Sequence, residues 1–217
     1  MRPDRRRRPR AERLVLSDPT GTMGFVTGLA WGCLDTPVGQ VSVGCTDAGV
    51  ARVAYGAPPD GAPAPGTLAA VLLEAAVAEL GEYFGGRRKA FSVPVDLGNA
   101  RGSRRTVLSV LHDSVRFGQT ITYGGLAARA GLDAAAAPGG AALPPARVVG
   151  QIMASNPVAL IVPCHRVVAG TGLGGYSGGT GTDLKHWLLV FEGALPATLD
   201  WDPAGLRRAQ PAGAPPA

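Results

Sequence analysis

Residues 161–168 read Ile161-Val162-Pro163-Cys164-His165-Arg166-Val167-Val168, and their reading decides what kind of protein this is. An apolar run over 158–162 has the composition of a buried strand and halts at a proline. A thiol, an imidazole and a guanidinium follow in succession, and the apolar run then resumes. The chain holds three cysteines and three histidines, and one of each stands side by side here. A thiol is a nucleophile only as the thiolate, and a nearby base or cation lowers its pKa from about 8.5. His165 and Arg166 are the adjacent candidates for that task. In an extended chain, successive side chains point to opposite faces, so the imidazole needs a bridging water or a bend at Pro163 to take the thiol proton. The base also needs a third group to orient it, commonly a carboxylate. Spacing alone cannot select that carboxylate. On the residues alone Cys164 keeps two readings, nucleophile or small buried hydrophobe, and the second is the commoner fate of a lone buried cysteine. Cys33 and Cys45 have no histidine neighbours and read as core residues.

Upstream, residues 39–55 read as a hairpin, with β-branched runs flanking a Thr46-Asp47-Ala48-Gly49 turn. Residues 57–66 are a proline- and glycine-rich loop. Residues 67–84 have helical spacing closed by Gly85-Gly86 and an arginine pair. A short strand is expected over Phe91–Val95. Next comes a helix over about 103–116, with Val107, Leu108, Val110, Leu111 and Val115 on its apolar face. Thr122 is placed to cap a helix from Tyr123 to about Ala130. After a long Ala/Gly/Pro connector, another helix spans about Ala146–Ala154 with Arg147 in its first turn. Two short helices joined in this way suggest a helix-turn-helix, although the connector is far longer than the usual three or four residues. Downstream of the cysteine lie a glycine-rich loop, 170–181, and a last helix over about Asp183–Glu192.

The 217 residues suit one large domain or two small ones, and 46% hydrophobic residues supply a core built from Val, Leu and Ala, since aromatics are 6%. The formal charge of +5 resides entirely in the first ten residues, which carry six arginines and one aspartate. Such a tail can associate with nucleic acid by charge alone, but its plainer reading is a disordered extension. Met23 is a candidate for the true start. The body of the chain is electrically balanced, so any binding of DNA must rest on local charge and shape. Three cysteines without CxxC spacing imply neither a disulfide framework nor a zinc site. No apolar signal core and no 18-residue apolar run occur, so the expected setting is a reducing cytoplasm without membrane attachment.

The stretch Asn156–Val168, with Tyr176-Ser177-Gly178-Gly179 and Lys185-His186-Trp187-Leu188-Leu189, resembles the methylated-DNA–protein-cysteine methyltransferases, the O-6-alkylguanine-DNA alkyltransferase family. The resemblance reaches back through Phe117–Tyr123 and, more weakly, through Leu80–Gly86 and Thr36–Gly39. It covers about 32–194. It implies an α+β fold, with a ribonuclease H-like α/β domain followed by a winged-helix-type, helix-turn-helix catalytic domain. The divisions expected from it are a basic tail at 1–22, an N-terminal domain at 23–98, a catalytic domain at 99–196 and a tail at 197–217.

The resemblance also implies roles. Cys164 would take the methyl group from O6 of guanine and keep it, each molecule reacting once. His165, held by Glu192, would accept the thiol proton through a water, and Asn156 would hold the turn before the active-site strand. Tyr123 would crowd the phosphate and promote rotation of the base out of the stack, which costs a few kcal/mol. Arg147 would fill the vacated space, with its helix docked in the minor groove. Backbone amides of Ser177 and Gly178 would bind the guanine oxygen, and the Val167 carbonyl its exocyclic amine. Tyr176 would close the pocket, and Lys185 would belong to the same substrate-binding set. No cofactor or metal is implied. The partner is double-stranded DNA carrying alkylated guanine, bound by a monomer. O-4-methylthymine is a further candidate lesion.

The chain departs from the family in three places. About ten additional residues lie between Tyr123 and Arg147, a length a surface loop absorbs at modest entropic cost. Ser103-Arg104 and Leu108 replace the usual Phe-Gln and Trp. The glycine loop before Lys185 is slightly longer. The competing reading is a non-reactive lesion-binding relative that recruits other repair factors, and retention of Cys164 argues against it. A methylation-sensing transcription factor would need a further domain, and a thiol hydrolase would bring its cysteine and histidine from distant segments.

Overall fold

The computed structural model describes residues 29–58, 67–98, 100–132 and 143–196. The arginine-rich start, the end beyond Pro196 and most of the connector between Tyr123 and Arg147 lie outside the described residues.

Three strands form an antiparallel meander in the order β1-β2-β3: Ala30–Thr36, Gly39–Thr46 and Gly49–Tyr55. The hairpin expected over 39–55 is β2 and β3, and its turn needs a glycine. Gly49 has φ +148°, and a Cβ there would stand 2.4 Å from the Pro94 carbonyl oxygen. No side chain fits so close an approach. β1 was not anticipated, because its run AWGCLDT carries no clean alternation. Cys33, expected in the core, lies on β1 and is exposed, because that edge strand turns its residue to solvent. Cys45 is buried as expected.

Helix α1, Leu68–Phe84, packs on the sheet and buries Ala69, Leu73, Ala76, Leu80 and Tyr83 at helical spacing. Thr67 Oγ1 accepts from the Ala70 amide, a cap worth about 1 kcal/mol. Asp47, in the hairpin turn, accepts from the Ala69 amide at 2.8 Å and so ties the sheet to the helix start. The strand expected over Phe91–Val95 is reduced to one bridge, Val50 to Val95. Glu79 instead accepts hydrogen bonds from Ser92 and the Val93 amide, which holds this segment away from a regular ladder.

The second half follows the expected order: α2 (Gly102–Ser114), β4 (Ile121–Thr122), α3 (Tyr123–Arg129), α4 (Pro145–Ala154), β5 (Val167–Val168) and α5 (Thr182–Phe191). Thr122 caps α3 by accepting from the Gly125 amide. β4 pairs in parallel with β5, Ile121 with Val167 and Thr122 with Val168. The head of α3 is thereby set beside the chain that leaves Cys164.

The apolar run 158–162 is not a strand. Only Val158 bridges a neighbour, Val53, and the rest turns back on itself, with Leu160 at φ +69° and the Val162 amide donating to the Val158 carbonyl. Asn156 forces the turn: its Oδ1 accepts from the Val158 amide and its Nδ2 donates to the Val162 carbonyl at 2.8 Å. A run buried on every side looks the same in sequence whether it is extended or folded, so periodicity could not separate the two.

The halves are joined by rings. Tyr83, Phe84 and Phe91 pack with Phe117, Trp187 and Phe191, and the Trp187 and Phe191 planes stack at 5.0 Å. A backbone bond, Val53 N–H to the Pro157 carbonyl at 2.9 Å, fixes β3 against the turn that leads to the cysteine.

Candidate active site

Cys164, His165 and Arg166 form a single 3-10 turn rather than an extended stretch. Their side chains therefore fan out instead of alternating, and each meets different partners. His165 has no exposed surface, and Glu192 and Cys164 are 4% and 6% exposed, so the groups act on each other in a low-dielectric interior.

Glu192 sits at the end of α5 and is the hub. Its Oε1 accepts from the Tyr83 hydroxyl at 2.8 Å and lies 2.9 Å from His165 Nε2. Arg166 donates Nε to Oε2 and Nη2 to Oε1, each at 2.8 Å, and Nη1 to the Val115 carbonyl. Burial alone would keep the carboxyl protonated, but the hydrogen bonds from His165 and Arg166 and the charge of Arg166 outweigh it and hold Glu192 well below the usual carboxylate range. For His165, burial opposes the proton and prevails over the attraction of Glu192, so its pKa is lowered and the ring is neutral. A neutral ring bonded to a carboxylate carries its hydrogen on Nε2. That leaves Nδ1 as a lone-pair acceptor, buried and with no hydrogen-bond partner.

The thiol has a different set of neighbours. Burial raises the pKa of Cys164, while hydrogen bonding from Asn156 and from the Tyr176 hydroxyl and the charge of Lys185 work to lower it. Arg166, adjacent in sequence, turns to Glu192, and the cation that acts on the sulfur is Lys185. Lys185 is fully buried on α5, donating to the Val167 carbonyl at 2.6 Å and the Gly175 carbonyl at 3.1 Å. Burial brings its pKa down to about 8, against the opposing pull of Cys164.

A cleft of about 920 Å³ opens onto this thiol. Thr122, Tyr123, Arg147, Cys164, Tyr176 and Ser177 line it, with the small residues Gly124, Gly150 and Ala154 between them. The cleft thus gathers residues from α3, α4, the glycine loop and the 3-10 turn. Tyr123 has Lys185 Nζ 5.7 Å from its ring centroid and donates its hydroxyl to the Gly175 carbonyl. Arg147 is exposed at the rim. Ser177 Oγ donates to the Ala154 carbonyl at the end of α4, which fixes the loop to that helix. Gly178 lies between two rings: a Cβ there would stand 2.7 Å from both Tyr176 Cε1 and Tyr55 Cε2.

The fold brings the residues singled out from the sequence into one region of the catalytic half, some lining the cleft and others packed beneath it. Tyr123, Arg147, Tyr176 and Ser177 face the cleft with Cys164, whereas His165, Glu192 and Asn156 stand behind it. The Val167 carbonyl, assigned to a guanine amine, already accepts from Lys185 Nζ at 2.6 Å. Tyr55 was missed. Its hydroxyl lies 3.1 Å from that of Tyr176, an interaction spanning 121 residues of sequence that no local signal announces. Tyr83 as a donor to Glu192 was missed for the same reason. Among the described residues, no group of three His, Cys, Asp or Glu is placed to hold a metal ion, and no helix is long and apolar enough to cross a membrane.

Comparison with known proteins agrees in both halves. Residues 29–97 match the family described as 6-O-methylguanine DNA methyltransferase, ribonuclease-like domain, and residues 103–194 match the DNA binding domain of the same description. A methylated-DNA–protein-cysteine methyltransferase of Metallosphaera sedula is 37% identical over 118 residues, 54% of this chain and 65% of that protein. The chain therefore spans just under two thirds of that relative. A DNA base-flipping protein of Thermus thermophilus is 36% identical over 75% of this chain and 99% of its own length. The structure of Mycobacterium tuberculosis OGT in complex with DNA is 30% identical, with a TM-score of 0.61 over 76% of this chain and 93% of that one.

Proposed function

The chain belongs to the 6-O-methylguanine DNA methyltransferase family, and from that premise we propose that it repairs alkylated DNA by moving the alkyl group onto Cys164, once per molecule. One observation carries the reading: the thiol stands in a cleft between the helix pair and the glycine loop, with the hydrogen-bonded pair of His165 and Glu192 behind it.

The helix pair α3–α4 binds the damaged duplex, and the lesion leaves the stack to reach the thiol. Arg147, exposed at the rim on the first turn of α4, occupies the space the base vacates. Tyr123 sits where β4 becomes α3 and crowds the phosphate of the rotated nucleotide. Backbone amides at Ser177 and Gly178 receive the guanine O6, and the Val167 carbonyl receives its amine.

The chemistry balances without a cofactor. The thiol proton passes through a water to His165 Nδ1, and the Glu192 carboxylate stabilises the imidazolium that results. The sulfur lone pair attacks the methyl carbon, the carbon–oxygen bond breaks, and its electron pair stays on guanine, which takes up a proton as the keto base. S-methylcysteine remains. A thioether is a poor leaving group, so the protein is consumed as a single chain acting once.

The test is stoichiometric. Incubation with excess duplex bearing one O-6-methylguanine should transfer one methyl per protein and then stop, and Cys164→Ser should transfer none. Continued turnover would refute the suicide mechanism. Tight lesion binding without transfer would instead place the chain with lesion-recognition proteins, a reading kept in view by the similarity to the Thermus thermophilus base-flipping protein.

A further inference from the structure

Tyr55 ends β3, in the ribonuclease-like domain, far in sequence from the reacting thiol. Its hydroxyl nevertheless lies 3.1 Å from the Tyr176 hydroxyl. Its ring closes on the backbone of Gly178 and Gly179, at positions where a Cβ would meet Tyr55 atoms at 2.7 and 3.4 Å. Tyr176 also closes on Gly178, its Cε1 2.7 Å from the same Cβ position, and lines the cleft with Cys164. The two rings therefore clamp a glycine that neither could clamp alone, and the clamp fixes where the Tyr176 hydroxyl points.

Of two facing phenols, one donates and the other accepts. If Tyr176 gives its hydrogen to Tyr55, it has only oxygen lone pairs to offer the sulfur, and these would repel a thiolate. If Tyr55 gives its hydrogen to Tyr176, the Tyr176 hydrogen is free for the sulfur, and each bond polarises the next. Only the second arrangement supports an anion on Cys164.

We propose that Tyr55 is a positioning residue for the nucleophile: by donating to Tyr176 it aims the Tyr176 hydroxyl at Cys164 Sγ and so favours the thiolate. The N-terminal domain thereby reaches into the reaction through one hydroxyl group. The proposal rests on Cys164 being the reacting thiol but not on the lesion being alkylguanine. Tyr176 lines the cleft beside Cys164, where a hydrogen bond from its hydroxyl would lower the thiol's pKa, and the other titratable groups that face the thiol are Lys185 on α5, Tyr123 at the head of α3 and Tyr55 itself. His165 follows it in the chain.

The test follows iodoacetamide alkylation of each cysteine by peptide mapping across roughly pH 6–10, in the full chain. Exposed Cys33 serves as the internal control. Tyr55→Phe keeps the ring that packs on Gly178 and removes only the hydroxyl. It should shift the Cys164 profile to higher pH and slow alkylation at pH 7 by about three- to tenfold, the range of one hydrogen bond, with Cys33 unchanged. In a Tyr176→Phe background the same substitution should do nothing further, as a double-mutant cycle for groups acting in series requires. An unshifted profile in a folded Y55F protein overturns the proposal, and so does an equal shift in the Y176F background. Failure of methyl transfer from DNA would leave this readout intact, so the two claims fail separately.

Discussion

Arg166 grips Glu192 with two nitrogens, Nε on Oε2 and Nη2 on Oε1, both at 2.8 Å, with both side chains buried. The paired fork is the strongest geometry available to a carboxylate. With Tyr83 and His165 also directed at Oε1, Glu192 stays ionised in the interior and keeps the His165 hydrogen on Nε2. The residue beside the nucleophile's base is therefore a clamp on the residue that orients it.

Glu192→Gln should expose the cost of that arrangement. The Arg166 guanidinium would be left buried without a counter-charge, a loss of about 3–5 kcal/mol. The pH dependence has a definite sign, because the folded-state pKa of Glu192 is depressed. Its contribution is fully present above the unfolded value of about 4.3 and is lost as pH falls below that value towards the folded one. Urea unfolding from neutral to acid pH should show this slope in the native chain and a flatter one in the variant.

Lys185→Met should slow methyl acceptance at pH 7 on the order of tenfold, since its ammonium is the cation whose charge favours the Cys164 thiolate and about one pKa unit is the size of a partly screened charge at such a distance. The native pKa of about 8 fixes the window. Below it the native ammonium is charged and the variant lags. Above it the native side chain discharges, and the two rate profiles should converge. Single-turnover rates against pH check this.

Gly178→Ala would place a methyl 2.7 Å from carbons of both Tyr55 and Tyr176. Overpacking of this kind costs about 1–3 kcal/mol. The rings must part, so the melting temperature should fall and Cys164 alkylation should slow together, whereas Cys33 alkylation should not change.

Arg147→Ala tests the rim of the cleft without touching the thiol. The side chain is exposed, so stability should move by no more than about 0.5 kcal/mol. Methyl transfer from duplex should slow on the order of tenfold or more, because part of the few kcal/mol of base extrusion is no longer offset. Alkylation of Cys164 by iodoacetamide should be unaffected. Equal loss in both assays would mean that Arg147 shapes the thiol's environment rather than handles DNA.

Local chemistry made much of this fold legible. Thr67 and Thr122 mark their helices because a hydroxyl before a helical run satisfies an amide, and Gly49 marks its turn because nothing larger fits under Pro94. Burial without periodicity was not legible. The run 158–162 is apolar on all sides, and the feature that folds it, the Asn156 side chain bonding to both ends, lies outside the run. At the site, the PCHR element with its asparagine and glycine loop pointed to residues that the fold brings near one thiol. The partition of roles within it was hidden, because the 3-10 turn sends Arg166 to Glu192 and leaves Lys185, 21 positions away, to act on the sulfur. Tyr55 and Tyr83 reach the site across 121 and 109 residues. Contacts of that kind belong to the packing of two domains, and no motif encodes them.

The most direct test is intact mass and peptide mapping after mixing the protein with one equivalent of duplex containing a single O-6-methylguanine. The account predicts a gain of one methylene on the peptide that carries Cys164, none on those carrying Cys33 or Cys45, and an unmodified guanine left in the DNA. A protein that binds the duplex but keeps its native mass, or takes the methyl elsewhere, would contradict it.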